Sequence, residues 1–259
     1  MSAQINRFEL ILKNSRSIMK INQIIILAYI AGITVFSGTV SAAEENVPQW
    51  KAEAELGFVK TTGNTQTESL NAKARVSNER QFWKHELRFE TVRNEDSDRV
   101  TAERYFLNAK TSYKLNLVSY VFGRAQYEDD RFSGYDYQAS LVGGYGYHIY
   151  DTEELKWNAE LGGGMRENKF EDGTSETEAI ISLATDVNWK ISSSANLLQE
   201  LTIDSGDKRT ISRSVTALST KINSSLSSKI SYTVKHNSKV PSGTKKTDTE
   251  TAITLVYAF

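Results

Sequence analysis

Apolar and polar residues alternate along most of this chain with a period of two. In "WKAEAELGFVK", Trp50, Ala52, Ala54, Leu56 and Phe58 share one phase, and Lys51, Glu53, Glu55 and Gly57 share the other. Successive side chains of a β-strand point to opposite faces, so this run predicts a strand with one oily side and one charged side. "SLNAKARV" repeats the pattern with Leu70, Ala72, Ala74 and Val76 against Asn71, Lys73 and Arg75. "FWKHELRFETV" sets Trp83, Leu87 and Phe89 against Lys84, Glu86, Arg88 and Glu90. "RYFLNAKTSY" aligns Tyr105, Leu107, Ala109 and Tyr113, and "YDYQASLVGGYGYHIY" puts Tyr135, Tyr137, Ala139, Leu141, Tyr145, Tyr147 and Ile149 on one face. Similar runs continue to "TDTETAITLVYAF", for about twelve strands of about nine to twelve residues each. After residue 43 no segment keeps a helical period or the apolar length of a membrane helix.

The direction of the oily faces decides the architecture. A soluble periplasmic β-sandwich is the competing reading, but its hidden faces should be richer in Val, Ile and Leu. Here the apolar phase holds many small and aromatic residues. The aromatics Trp50, Trp83, Tyr113, Tyr135, Tyr150, Trp157, Trp189 and Tyr257 gather near strand ends, where the two interfaces of a bilayer would fall. The opposite phase carries more charge than a dry core accepts unpaired. Both faces are satisfied by a transmembrane antiparallel up-and-down β-barrel, oily outside and polar inside, with no open sheet edge. Lys51, Glu53, Glu55, Lys73, Arg75, Lys84, Glu86, Arg88 and Glu90 are then the candidate lumen charges. Both signs occur, so they either set ion preference in a narrow porin-like channel or pair and plug the barrel.

Connections should be longer on the outer side ("RNEDSDRV", "EDDRFSG", "RENKFEDGT", "HNSKVPSGTKK") than on the periplasmic side ("NERQ", "YDTEEL", "KISSS"). The final strand should pair with the first, which gives Ile253, Leu255, Tyr257 and Phe259 a lipid-facing role. A terminal aromatic strand of this form resembles the signal read by the outer-membrane assembly machinery.

The N-terminus bears on compartment. A charged start at Lys20, an apolar run over about residues 24–36 and small residues at Val40, Ala42 and Ala43 are the layout of a secretory signal peptide. We therefore expect residues 1–42 to be a signal peptide with an extended n-region and residues 43–259 to be the barrel. Lys plus Arg number 31 and Asp plus Glu 32, so no basic surface for nucleic acid is present. Removing residues 1–42 takes four basic residues and Glu9, leaving 27 basic and 31 acidic residues and a net charge of −4. The absence of cysteine excludes disulfides, thiolate metal sites and cysteine nucleophiles.

The segments "ELGFVKTTGNTQTESLNAKARV" and "GGYGYHIYDTEELKWNAELGGGMREN", together with the aromatic end, resemble the YdiY-type salt-induced outer-membrane protein family, also called domain of unknown function 481. The resemblance runs from about Trp50 to Phe259, and its most specific piece is the turn Thr62-Gly63-Asn64-Thr65. It implies a Gram-negative outer-membrane barrel, a link to salt stress, and no functional residues to transfer. The expected partners are outer-membrane lipids, lipopolysaccharide and the assembly machinery, with the chain a monomer.

Chemistry beyond this is sparse. His85, His148 and His236 lie far apart and lack the spacing of a metal site, so no cofactor is expected. His236-Asn237-Ser238 raises an outer-membrane lipid hydrolase as an alternative, although neighbouring residues do not aim a serine at an imidazole. Glu95, Asp96, Asp98, Glu128, Asp129, Asp130, Glu171 and Asp172 are placed at outer loop tips, where a weak divalent-cation role competes with plain solvation. The glycines of "GGYGY" and "LGGGM" should permit bends or close approach in the wall.

Overall fold

The computed structural model describes residues 49–62, 67–96 and 99–259. The expected signal peptide and the Gly63-Asn64 turn lie outside these residues. Twelve strands run in order: β1 (Gln49–Thr62), β2 (Thr67–Glu79), β3 (Trp83–Asp96), β4 (Arg99–Lys114), β5 (Ser119–Asp130), β6 (Tyr135–Asp151), β7 (Leu155–Phe170), β8 (Ser175–Lys190), β9 (Ala195–Gly206), β10 (Thr210–Lys221), β11 (Leu226–Asn237) and β12 (Thr247–Ala258). Each pairs antiparallel with its sequence neighbours, and β12 closes on β1 to complete a barrel. Closure removes every free sheet edge, which a wall in contact with hydrocarbon requires. The seam runs from Thr62↔Thr249 to Glu53↔Ala258, and the Phe259 amide still donates to the Ala52 carbonyl at 2.9 Å.

The oily phase faces outward, as alternation requires. Leu56, Leu141, Leu161, Met165, Ile181, Ile253 and Leu255 are all more than half exposed, while Glu55, Glu90, Arg124, Glu160 and Arg166 are buried on the inner side. The strands are longer than expected, reaching 16 residues in β4 and 17 in β6. The acidic stretches read as loop tips are largely strand ends: Glu95 and Asp96 belong to β3, and Glu128, Asp129 and Asp130 to β5. Charged side chains do not interrupt an antiparallel ladder when each faces water or a partner, and the backbone keeps pairing. Consequently the connections at the end away from the termini, here called distal, are not generally the longer ones. Residues 131–134, 171–174 and 207–209 are short turns, and only residues 238–246 form an extended distal connection among the described residues.

Two inner-wall features depart from simple alternation. A register shift between Tyr135 and Tyr137 turns Tyr135 inward, where it is 3 % exposed, so it is not an interface aromatic as expected. The remaining seven of that set lie at the terminal end, while Tyr105, Tyr127 and Tyr137 face outward nearer the distal end, with Tyr127 and Tyr137 stacked at 5.5 Å. The lumen is also not uniformly polar. Tyr120, Phe122, Val142 and Ile180 form a buried apolar pad on β5 to β8. Glycine makes room for it: a Cβ on Gly146 would lie 2.2 Å from the Tyr120 ring, and one on Gly164 would lie 1.9 Å from the Leu141 carbonyl oxygen.

Candidate functional site

The lumen is the part of the molecule where chemistry-bearing side chains converge, and it has three levels. At the terminal end a cavity of about 820 Å³ opens between the turns, bordered there by Glu79, Phe82, Lys114, Leu117, Asp151 and Lys156. It narrows toward a floor of Arg75, Arg88, Arg124 and Glu200. At the next level, among Glu55, Lys73, Glu90, Arg213 and Lys229, the free space is about 30 Å³, room for about two waters.

Ion pairs span that narrowing. Arg88 on β3 donates to Glu200 on β9 at 3.2 Å, and Lys235 on β11 donates to Glu128 on β5 at 2.8 Å. In each pair the two strands are six places apart around the ring of twelve, so these bonds join opposite walls. Arg213 reaches Glu90 at 3.1 Å, and Arg104 reaches Glu250 at 2.7 Å, with Lys73 at 3.7 Å from the same carboxylate. Lys229 closes on Glu55 at 2.7 Å, and Arg75 lies 3.5 Å from Glu200. Phe106 sits among them with Arg213 and Arg88 over its ring at 4.9 and 5.5 Å. Charges this far from bulk water require such partners, and Glu90, Glu200 and Glu250 each meet two bases.

Among the described residues, side chains and one long connection reach across the distal mouth. Arg209, in the turn between β9 and β10, folds inward, donates to Tyr135 and Glu176, and stacks over the rings of Tyr135 and Phe170. Below it Arg166 holds Glu178 at 2.8 Å. The connection 238–246 reaches the β5–β6 turn, so that a Cβ on Gly134 would lie 3.0 Å from the Pro241 ring. Gly134 has φ of +78°, a conformation that favours glycine. These contacts link turns on different sides of the barrel and lay a strap across this end.

The sequence-predicted residues fall into place unevenly. Glu55, Lys73, Arg75, Arg88 and Glu90 join the cross-lumen network, Lys84 pairs locally with Glu86 at 3.3 Å, and Lys51 and Glu53 are exposed at the terminal mouth. Their partners Glu200, Arg213, Lys229 and Glu250 come from later strands and were not singled out. The polar phase of "ANLLQELTID", "KISYTVKH" and "TDTETAITLVYAF" carried that signal for Glu200, Lys229 and Glu250. Ile253, Leu255, Tyr257 and Phe259 are exposed on the outer wall, and the last two rings meet edge to face at 4.7 Å.

The other candidates are dispersed. His236 is exposed and bonds Thr247 at 2.8 Å, Asn237 is buried, and Ser238 Oγ accepts the Thr210 amide at 2.9 Å, so no serine–histidine pair forms. His85 bonds Thr111, and His148 bonds Asn158 inside the vestibule. Among the described residues no group of three or more His, Asp or Glu could hold a metal ion. Glu128 turns inward, while Asp130 and Asp172 cap their own turns. Two hydrogen bonds from Thr174 hold the Asp172 carboxyl below the usual aspartate range.

Comparison with known proteins fits this geometry. Residues 54–259 match the family model described as "Protein of unknown function, DUF481". The chain belongs to the DUF481 family. Its similarity to the uncharacterized protein YdiY of Escherichia coli (strain K12) is 27 % identity over 214 residues, covering 81 % of this chain and 83 % of that one. Among solved structures, this DUF481 barrel is similar to the NanC porin at a TM-score of 0.55 and 12 % identity, over 79 % of this chain and 98 % of that one. Similarity to the KdgM porin has a TM-score of 0.45 at 12 % identity, with 79 % and 99 % covered. The fold is therefore that of outer-membrane porin barrels, and the β-sandwich alternative is set aside.

Proposed function

We propose that this chain is a non-enzymatic barrel of the Gram-negative outer membrane whose lumen is closed at rest, making it a braced structural barrel or narrow porin-like channel. The observation that carries this reading is the pair of ion bridges joining opposite walls, Arg88 to Glu200 and Lys235 to Glu128. An open diffusion pore keeps its charges on the wall and water in the middle, whereas here the charges meet in the middle. The outward apolar wall is read as the surface that meets lipid and lipopolysaccharide, with the strand ending in Tyr257 and Phe259 handed to the assembly machinery. The chain is read as a monomer because the ion bridges across the lumen form within one copy. A link to salt stress, carried by the family resemblance alone, belongs to the same proposal and predicts more barrel after a sodium chloride shift.

Single-channel recording of the refolded protein in a planar bilayer tests the reading. A closed baseline with small or rare steps is expected, and a large steady conductance would sink it. Membrane fractionation tests location, with the protein expected among detergent-extracted outer-membrane proteins.

A further inference from the structure

We propose that the vestibule floor binds a small oxyanion, a carboxylate or phosphate group carried on a polar solute that enters through the terminal mouth. This rests on the one-sided access described above. The cavity of about 820 Å³ falls within the usual range for a small-molecule site. Basic side chains lead from mouth to floor: Lys114, Lys110, Arg124, Arg88 and Arg75 all line it. The sheet register sets Lys110 beside Arg124 and Arg75 beside Arg88, clustering like charges on one wall.

The carboxylates that line the cavity are already engaged. Glu160 is held by Lys110 and Tyr120, Glu79 by Lys114, Glu86 by Lys84, and Asp186 by Asn158. Glu200 is shared between Arg75 and Arg88. One carboxylate between two guanidinium groups leaves donors over, because each guanidinium carries five N–H groups. The buried polar atoms without a hydrogen-bond partner on cavity-lining residues are both donors, Nε of Arg124 and Nε of Arg88. Arg88 Nε lies 3.2 Å from Glu90 but without hydrogen-bond geometry. Arg124, whose side chain is 6 % exposed, donates through Nη2 to Ser182 and Asp204. Arg75 is the accessible member, with its side chain 38 % exposed. A guest that brings only acceptors suits the spare N–H groups that Arg75 presents to the cavity, whereas a cation would add charge beside the three guanidinium groups of the floor. The facing wall at this depth combines Ala184, Leu198 and Thr202 with Glu200, Asp186 and Glu160, each of these carboxylates holding a partner already named.

Isothermal titration of the full barrel, refolded in uncharged detergent and an anion-free zwitterionic buffer, tests the assignment. The probes are sodium phosphate, sodium succinate and glucose. Saturable heat is expected with at least one anion and none with glucose, and the two anion arms separate a phosphate from a carboxylate preference. Arg75→Gln or Arg124→Gln should weaken binding about tenfold or more, the scale of a charge-assisted hydrogen bond. If Arg75→Gln does not fold, as judged by heat-modifiable migration, Arg75→Lys replaces it; losing the guanidinium fork should still weaken binding about threefold. No saturable heat with either anion, equal heat with glucose, or both glutamine variants within about twofold of the wild type would overturn the site. Binding is read without any current, so its failure leaves the closed-lumen reading standing.

Discussion

Replacing Glu200 with alanine removes the carboxylate that bridges the lumen from β9. Its oxygens lie 3.2 Å from Arg88 and 3.5 Å from Arg75. At an effective dielectric constant of about 20 each contact is worth roughly 5 kcal/mol before desolvation, and breaking a buried pair costs about 3–5 kcal/mol. Both contributions need discounting here. Arg88 keeps Glu90 at 3.2 Å, and the Arg75 side chain is 38 % open to the vestibule. The expected loss for Glu200→Ala is therefore about 2–3 kcal/mol. Urea unfolding of the barrel in micelles reads it through tryptophan fluorescence, since Trp50, Trp83, Trp157 and Trp189 all lie on the outer wall and away from the substitution. The decisive measurement is the cycle with Arg88→Ala, where a coupling of at least about 1 kcal/mol is expected. The same variant should raise bilayer conductance over the wild type. Additivity within about 0.5 kcal/mol, together with an unchanged electrical baseline, would refute the view that this bridge braces and closes the lumen.

Other outcomes follow from the same geometry. Gly146→Ala drives a methyl group into the Tyr120 ring, 2.2 Å away, and should break the 2.6 Å bond from Tyr120 to Glu160, costing about 3 kcal/mol in the same unfolding assay. Gly163→Ala is its control, because the nearest atom to an added Cβ is 3.8 Å away, and it should change stability by less than about 1 kcal/mol. Shortening the connection 238–246 to a two-residue turn should uncover the distal mouth; a cysteine placed at Thr233, 5 % exposed on β11, should then react with an impermeant maleimide added from the distal side, and equal protection in both backgrounds counts against the strap. Deleting Phe259 should lower the amount of heat-modifiable barrel in cells, and wild-type levels would count against its role in assembly.

Most of the fold was legible because a strand's side-chain period is two and a barrel wall has two unlike sides. Trp50 to Leu56 and Ile253 to Phe259 reveal their faces without any knowledge of neighbours. What escaped depends on pairing. The inward turn of Tyr135 comes from a register shift against β7, which the run "YDYQASLV" does not announce. Tyr120 and Phe122 share the inward phase of Arg124, and their rings fit there because their hairpin partners are glycines, Tyr120↔Gly146 and Phe122↔Gly144, a match visible only once the register is known. The lumen charges of β1 to β3 were readable as inward, but their counterions lie far along the chain, 174 residues away for Glu55 and Lys229. Local sequence states that a charge needs a partner; barrel closure decides which one it meets.

The β1–β12 seam has a consequence in time. Glu53 and Ala258 are paired across it although they lie at opposite ends of the barrel sequence. Closing so distant a contact is slow, because the entropy of the long intervening loop is lost before the seam returns any stabilisation. Until β12 docks, the chain is an open sheet with two unsatisfied edges, each a template for another copy. The ladder that makes the finished barrel self-contained therefore makes its precursor adhesive. Anything that shields these two edges until the seam forms should therefore raise the yield of closed barrel.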